Sequence, residues 1–201
     1  MRGNSRTLKV SKGVRSHPPE ESNGDYYATP PLVTEAMLKG LKRFNIDLGR
    51  RVLEPCCGEG HISEVLKLHG YKVFSYDKVY RGYGRTSDFL LRSKPFNGSI
   101  VTNPPYYDDL PVRMIRKGLE LIPDGKYLVF LTKLSFLSGK SRSILFEDHN
   151  PKLILVHSSR VGCALNGDFS KRIPKGMDYC WVVFKKGYVG PTTLGWIGGT
   201  K

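Results

Sequence analysis

The chain of 201 residues contains only four cysteines, and their positions exclude more than their number does. Cys56 and Cys57 are adjacent and cannot readily bridge each other; with Cys163 and Cys180 they form no CxxC and no Cys/His pair at zinc spacing. The sequence therefore predicts free thiols in a reducing compartment and no metal site. Long apolar runs are also missing, and none approaches the roughly 20 residues of a membrane span. The basic N-terminus is not followed by the apolar stretch of a signal peptide, and no basic amphipathic helix suggests a membrane surface. Acidic residues are scarce, 18 Asp+Glu against 32 Lys+Arg, which leaves a net charge of +14. That excess points to a polyanionic partner, nucleic acid before membrane. The five histidines, His17, His61, His69, His149 and His157, are scattered, and none stands in a nucleophile motif with Ser or Cys. None is read as catalytic.

What is present is a globular composition, 39% hydrophobic and 25% charged, at a length that fits one domain. Residues 1–24 carry Arg2, Arg6, Lys9, Lys12 and Arg15 without apolar periodicity and read as a flexible basic arm. Residues 25–187 read as the domain proper and 188–201 as a C-terminal tail. Thr29-Pro30-Pro31 predicts a helix start capped by the Thr29 hydroxyl, with Val33, Ala36, Met37, Leu41 and Phe44 on one face. Strands are expected at 51–54, 72–76, 99–102, 127–132, 153–157 and 179–184, and helices at about 61–69, 109–121 and 139–148. A short strand or turn is expected at 87–90, a Gly-rich loop at 78–87 and a long polar loop at 158–178. Strands alternating with helices predict an α/β fold with a doubly wound, mostly parallel sheet, and the last elements suit a C-terminal antiparallel hairpin.

Two constellations carry chemistry. In the first, strand Arg51–Glu54 feeds Pro55-Cys56-Cys57-Gly58-Glu59-Gly60, a Gly-x-Gly turn that lets a ligand approach the backbone at the carboxyl end of a sheet. The third glycine of the dinucleotide fingerprint is replaced by Ser63. Asp77, at the end of the next strand, is either a turn residue or an acceptor for ribose hydroxyls. Asp88-Phe89 offers a carboxylate for an exocyclic amine and a ring for a purine. The second constellation is Asn103-Pro104-Pro105-Tyr106 directly after a buried strand. Two prolines fix the backbone and withhold N–H donors, so that carbonyl oxygens can face a cleft. The Asn103 side-chain oxygen and the Pro104 carbonyl would accept both hydrogens of a conjugated amine and aim its lone pair, with Tyr106 stacked on the ring.

In these motifs, residues 26–106 resemble the catalytic core of the gamma-class DNA adenine-N6 methyltransferases, within the Rossmann-like class I S-adenosylmethionine-dependent fold. The resemblance rests on Thr29-Pro30-Pro31, Leu53-Glu54-Pro55 with Gly58 and Gly60, Asp77, Ser87-Asp88-Phe89-Leu90 and Asn103-Pro104-Pro105-Tyr106, in the family's order. It implies S-adenosylmethionine as cofactor and S-adenosylhomocysteine as product. It also implies that Tyr27, Thr29, Glu54, Cys56 and Gly58 surround the methionine part. Asp77 would hold the ribose, Asp88 and Phe89 the adenine, and Asn103 through Tyr106 the target base. Two departures matter. The family's helix after Asp77 is replaced by Val79-Tyr80-Arg81-Gly82-Tyr83-Gly84-Arg85, and a large target-recognition domain is not expected here. The overall pattern is similar to compact phage or prophage methyltransferases, which implies a bacterial or phage-infected host cytoplasm.

The basic residues expected to meet nucleic acid are Arg81, Arg85, Arg113, Arg116 and Lys117, with Arg160, Lys171, Arg172 and Lys175 from loop 158–178. A base in a duplex would have to be flipped out to reach Asn103, which favours single-stranded or distorted targets. The leading expectation is methyl transfer to adenine N6 in DNA. The first alternative is the same chemistry on RNA, with an activator subunit; a protein glutamine is disfavoured because it needs no polycation. The second alternative is a non-catalytic nucleic-acid-binding or inhibitory protein on the same scaffold. Target recognition would then come from loop 158–178, from the basic arm, or from an accessory or specificity subunit.

Overall fold

The hydrophobic period of the chain switches between 3.6 and 2. The computed structural model, which describes residues 26–171 and 177–198, shows where each run lands. In chain order the elements are β1 (Tyr27–Ala28), α1 (Pro31–Arg43), β2 (Arg51–Glu54), α2 (His61–Leu68), β3 (Lys72–Asp77), β4 (Arg85–Thr86) and β5 (Ser99–Thr102). They continue with α3 (Leu110–Leu121), β6 (Tyr127–Lys133), α4 (Lys140–Asp148), β7 (Leu153–His157), β8 (Ala164–Leu165), β9 (Tyr179–Lys185) and β10 (Thr193–Ile197). Single 3-10 turns lie at Phe89–Leu91 and Leu134–Leu137.

Eight strands form one sheet in the order β10-β7-β9-β6-β5-β2-β3-β4. Only β9 runs against its neighbours, Val183 facing Val129 on β6 and Leu153 on β7; the other pairings are parallel. The expected doubly wound sheet and the antiparallel pair near its end are both present. Alternate side chains of the central strands serve two cores, as a sheet covered on both faces requires. Val129, Leu131 and Trp181 pack with Val33, Met37 and Leu41 of α1 and Val65 of α2. Leu128, Phe130 and Phe184 pack with Met114, Ile115 and Leu119 of α3 and Leu145 of α4.

Several local expectations are corrected. The residue before α1 is Pro30, and the Thr29 hydroxyl does not cap the helix; it accepts a bond from Asn103 instead. The tail read at 188–201 contains β10, whose parallel partner is β7, so the sheet continues to Ile197. Gly195 disguises this strand, because glycine reads against strand structure. Its missing side chain makes room for the Phe44 ring, which a Cβ there would approach to 2.5 Å. Leu194 and Trp196 are exposed on this edge, and Arg43 Nη2 donates to the Trp196 carbonyl at 2.6 Å, covering one group that a foreign strand would otherwise pair with. Loop 158–178 is not wholly irregular: β8 pairs antiparallel with β1 in a separate two-stranded sheet. Strands of two residues leave no period-2 signature to read. The basic arm at 1–24 lies outside the described residues.

Gly40 is where α1 sits down on β7 and β10. A Cβ there would stand 2.8 Å from both Ile197 Cγ2 and Leu155 Cδ1. Gly40→Val is therefore expected to lower stability by about 1–3 kcal/mol through overpacking, despite replacing a helix glycine. Urea unfolding checks this, and a midpoint at or above the wild-type value would contradict the docking of α1 on β10.

Candidate active site

Strand order reverses between β2 and β5, and in an open α/β sheet the crevice beyond the carboxyl ends at such a point is where ligands bind. A cleft of about 330 Å³ occupies this position. Its walls bring together Tyr27, Thr29, Glu54, Cys56, Asp77, Asp88, Phe89, Asn103, Pro104 and Pro105, residues scattered over about 80 positions of sequence.

The loop after β2 needs its glycines for conformation. Gly58 and Gly60 hold positive φ, 52° and 92°, and Gly60 stands directly before α2. A Cβ at position 58 would collide with the Tyr26 ring, and one at position 60 would come within 2.7 Å of the Tyr83 ring. Both glycines shape the loop; neither is among the residues bordering the cleft. Asp77, at the end of β3, holds this loop: its Oδ2 accepts from the Gly58 N–H at 2.8 Å. Its Oδ1 accepts from the Val79 N–H at 3.0 Å and from Arg81 Nη1 at 3.2 Å.

Glu54, 1% exposed, ends β2 beside the loop and accepts from the Ser63 hydroxyl. Burial raises its pKa well above the ordinary value, the Ser63 bonds pull it down, and the nearby Asp77 charge adds to the rise. Burial also raises the neighbouring thiols, that of Cys57 to about 12, so neither Cys56 nor Cys57 is a thiolate nucleophile at neutral pH. The four cysteines are free, as expected.

At the other wall Asp88 accepts from the Leu90 N–H at 3.0 Å and pairs with Lys78 at 3.1 Å. Burial would raise its pKa, but the Lys78 bond, the Leu90 N–H and the charges of Lys78 and Arg113 outweigh it, and the carboxyl is held below its ordinary value. Phe89 is buried beside it.

The third wall is the turn after β5. Asn103 Nδ2 donates to the Tyr27 carbonyl and to Thr29 Oγ1, both at 3.0 Å. A carbonyl can only accept, so this pairing fixes which end of the amide is which and leaves Oδ1 as the acceptor. The single Tyr106 O–H is shared between that Oδ1 and the Leu131 carbonyl, the latter at 3.1 Å. The Tyr106 ring packs toward Tyr179, with centroids 6.4 Å apart, and Lys133 Nζ lies 5.5 Å from its centre. Of the two tyrosines after Pro105, the one that borders the cleft is Tyr107, 48% exposed.

The segment Tyr26–Thr29 that holds Asn103 is itself held by loop 158–178. The Asn166 N–H donates to the Tyr26 carbonyl at 2.9 Å, and Phe169 packs on His61 with ring centroids 5.0 Å apart. His61 borders the cleft, and its pKa is lowered by burial against the opposing charge of Glu59.

The expected nucleic-acid residues divide. Arg81, 10% exposed, turns into the cleft against Asp77 and is not on the outer surface. Arg116 pairs with Asp148 at 2.7 Å and Lys117 with Glu120 at 2.9 Å, on the half of α3 that runs away from the cleft. Arg113 is exposed near Asp88, and Arg85 is exposed on edge strand β4. Arg160 pairs with Asp178 and Lys171 with Asp168. Arg172 and Lys175 lie outside the described residues. Sequence reasoning missed Lys78 and His61 at the cleft, neither of which stands in a motif; Tyr107, one of the tyrosines whose spacing among basic residues suits base stacking, does border it. Among the described residues no group of His, Cys, Asp and Glu could hold a metal ion, and no helix is long and apolar enough to cross a membrane.

No family profile matches the chain, and no curated protein does. Solved structures do. A Listeria monocytogenes protein assigned as a class I S-adenosylmethionine-dependent methyltransferase superposes with a TM-score of 0.56 at 14% identity, over 84% of this chain and 64% of that one. The modification subunit assigned to a type I restriction enzyme of Vibrio vulnificus gives 0.57 at 14%, over 87% of this chain and 47% of that one. A Pyrococcus horikoshii protein assigned as an RNA methyltransferase gives 0.57 at 15%, over 81% and 85%. The chain thus spans less than two thirds of the first two. At these identities the likeness establishes the fold, the Rossmann-like fold of class I methyltransferases.

Because the folded state raises the Glu54 pKa, its contribution to stability is largest below the ordinary 4.5 and falls as pH rises toward the raised value. Glu54→Gln can keep the bond to Ser63 and has no proton to lose. Its urea midpoint is expected to exceed that of wild type at about pH 7, with the difference shrinking near pH 4. A pH-independent difference would show that Glu54 keeps an ordinary pKa.

Proposed function

We propose that this protein is an S-adenosylmethionine-dependent methyltransferase acting on the N6 amine of adenine in nucleic acid, with DNA as the favoured substrate. The observation that carries the reading is the amide of Asn103, whose donor end is tied to Tyr27 and Thr29 so that its oxygen is kept as an acceptor beside a nucleoside-sized cleft.

The cleft fits the adenosyl group. Acids stand at two walls, Asp77 for hydroxyls and Asp88 for an exocyclic amine, with Phe89 between them as apolar surface. Tyr27, Thr29, Glu54 and Cys56 are left for the methionine part, with Gly58 and Gly60 shaping the loop behind them. Bound S-adenosylmethionine would supply an electrophilic methyl group on a sulfonium. On the protein's side, Asn103 Oδ1 and the Pro104 carbonyl accept the two amine hydrogens, and Oδ1 can do so while bonded to Tyr106 because it has two lone pairs. The nitrogen lone pair would thereby be directed at the methyl donor, and the positive charge nitrogen gains on methylation would meet two carbonyl dipoles until one amine proton is released to solvent. Tyr106 holds the acceptor in place, and Tyr107 provides an exposed ring on which the target base can stack. No base has to activate the amine, which agrees with raised thiols and with a His61 that is neutral at physiological pH. The surplus of 32 Lys+Arg over 18 Asp+Glu suits a polyanionic substrate.

The test is methyl transfer from labelled cofactor to matched single-stranded DNA, duplex DNA and RNA, followed by digestion to nucleosides and mass spectrometry. N6-methyladenine from DNA is the expected product. The same product from RNA alone would reassign the substrate, and cofactor binding without any labelled base would favour a partner-dependent or non-catalytic protein. Asn103→Ala is expected to lower transfer by about 100-fold or more while leaving the dissociation constant for S-adenosylhomocysteine within about twofold. An unchanged rate would remove Asn103 from the chemistry. Asp77→Ala is expected to weaken cofactor binding directly, and an unaltered constant would take it out of the cofactor site.

A further inference from the structure

The loop after Asp77 does what a helix there would not. Gly82 and Gly84 hold positive φ, 84° and 69°, and fold the segment back over β3 and the Gly58 loop. At Gly84 a Cβ would meet the Ser75 carbonyl at 2.8 Å and Cys57 Sγ at 2.7 Å, so only glycine permits the approach. The fold-back delivers one side chain into the cleft. Arg81, 10% exposed, has Nη1 at 3.2 Å from Asp77 Oδ1 and 3.3 Å from the Val79 carbonyl. Its Cζ lies 4.6 Å from the centre of the Tyr26 ring, and the Tyr26 hydroxyl in turn accepts from the Glu59 N–H at 3.2 Å. The guanidinium is thus held by a carboxylate and an aromatic face, an arrangement that a planar fork satisfies and an ammonium does not.

A ribose hydroxyl is both donor and acceptor, and a carboxylate alone serves only its donor half. Three donors, two backbone and one from Arg81, already engage the Asp77 oxygens, and a carboxylate has about four acceptor positions. A diol arriving at Asp77 therefore meets the acid and the adjoining guanidinium together. We infer that Arg81 is a ribose-reading residue of the cofactor site, donating to the oxygen of the hydroxyl whose proton the remaining acceptor position of Asp77 takes. The inference rests on the proposed S-adenosylmethionine site. It also explains why a cation in a chain with a net charge of +14 is turned inward, where phosphates do not reach it.

The experiment is calorimetric titration of the full chain, wild type and Arg81→Gln, with S-adenosylhomocysteine and with its 2′,3′-dideoxy analogue. Arg81→Gln is expected to weaken binding of S-adenosylhomocysteine by about tenfold or more and binding of the dideoxy analogue by less than about twofold. Equal losses for both ligands would make Arg81 a structural support of the loop and overturn the inference, as would no loss for either. Wild-type protein that binds neither ligand would overturn the cofactor reading itself, and this inference with it. Should Arg81→Gln fail to fold, Arg81→Lys keeps the charge without the fork, and the same selective loss is expected of it.

Discussion

One carboxylate organises the open end of this sheet. Asp77 leaves β3 with both oxygens engaged, one by the Gly58 N–H and the other by Val79 and Arg81. The loop after β2 and the loop after β3 are thereby tied to a common point, and the glycines in each are what allow the backbones to come so close. Charge-assisted bonds to backbone N–H groups in a nearly buried setting are among the stronger polar contacts available to a protein. Here they hold two irregular segments steady without covering the cleft.

A second chain of contacts runs across the cleft. β8 holds β1, the Tyr27 carbonyl of β1 and the hydroxyl of Thr29 just after it face Asn103, and these orient its amide. Tyr106 closes the arrangement from the other side by anchoring on Leu131 of β6. The turn after β5 thus depends on residues more than 70 positions before it and, through β8, on a loop more than 50 positions after it. In the proposed chemistry the energetic contribution is preorganisation: the acceptor is aligned before any amine arrives, so little reorganisation accompanies the reaction. The chemistry also needs no acid or base at the reacting atom, and the Cys56 and Cys57 thiols, raised by burial, stay protonated near neutrality.

Charge illustrates how a count differs from a surface. The excess of basic residues is plain, but those expected to meet nucleic acid stand in different surroundings. Arg116 and Lys117 are matched by acids on and beside their own helix, and Arg81 is spent inside the cleft. Lys78, paired with Asp88, borders the cleft, and Arg113 is exposed near the same carboxylate.

By itself the sequence determined the alternating elements, the doubly wound sheet and its antiparallel partner strand, and many of the residues that border the cleft, though not that Gly58, Gly60 and Tyr106 stand outside its lining. Period, turn residues and the position of polar groups at strand ends are local properties, and the buried strands were long enough to show them. Two-residue strands β1 and β8 carry no period, and Gly195 hides β10 because its role is to admit the Phe44 ring. Only the tertiary structure decided that Thr29 serves Asn103 rather than its helix, that Tyr107 and not Tyr106 borders the cleft, and that Arg81 faces Asp77. Each of these depends on which side of a turn a side chain leaves and on what waits there. That is settled by packing between segments far apart in the chain, which no local pattern records.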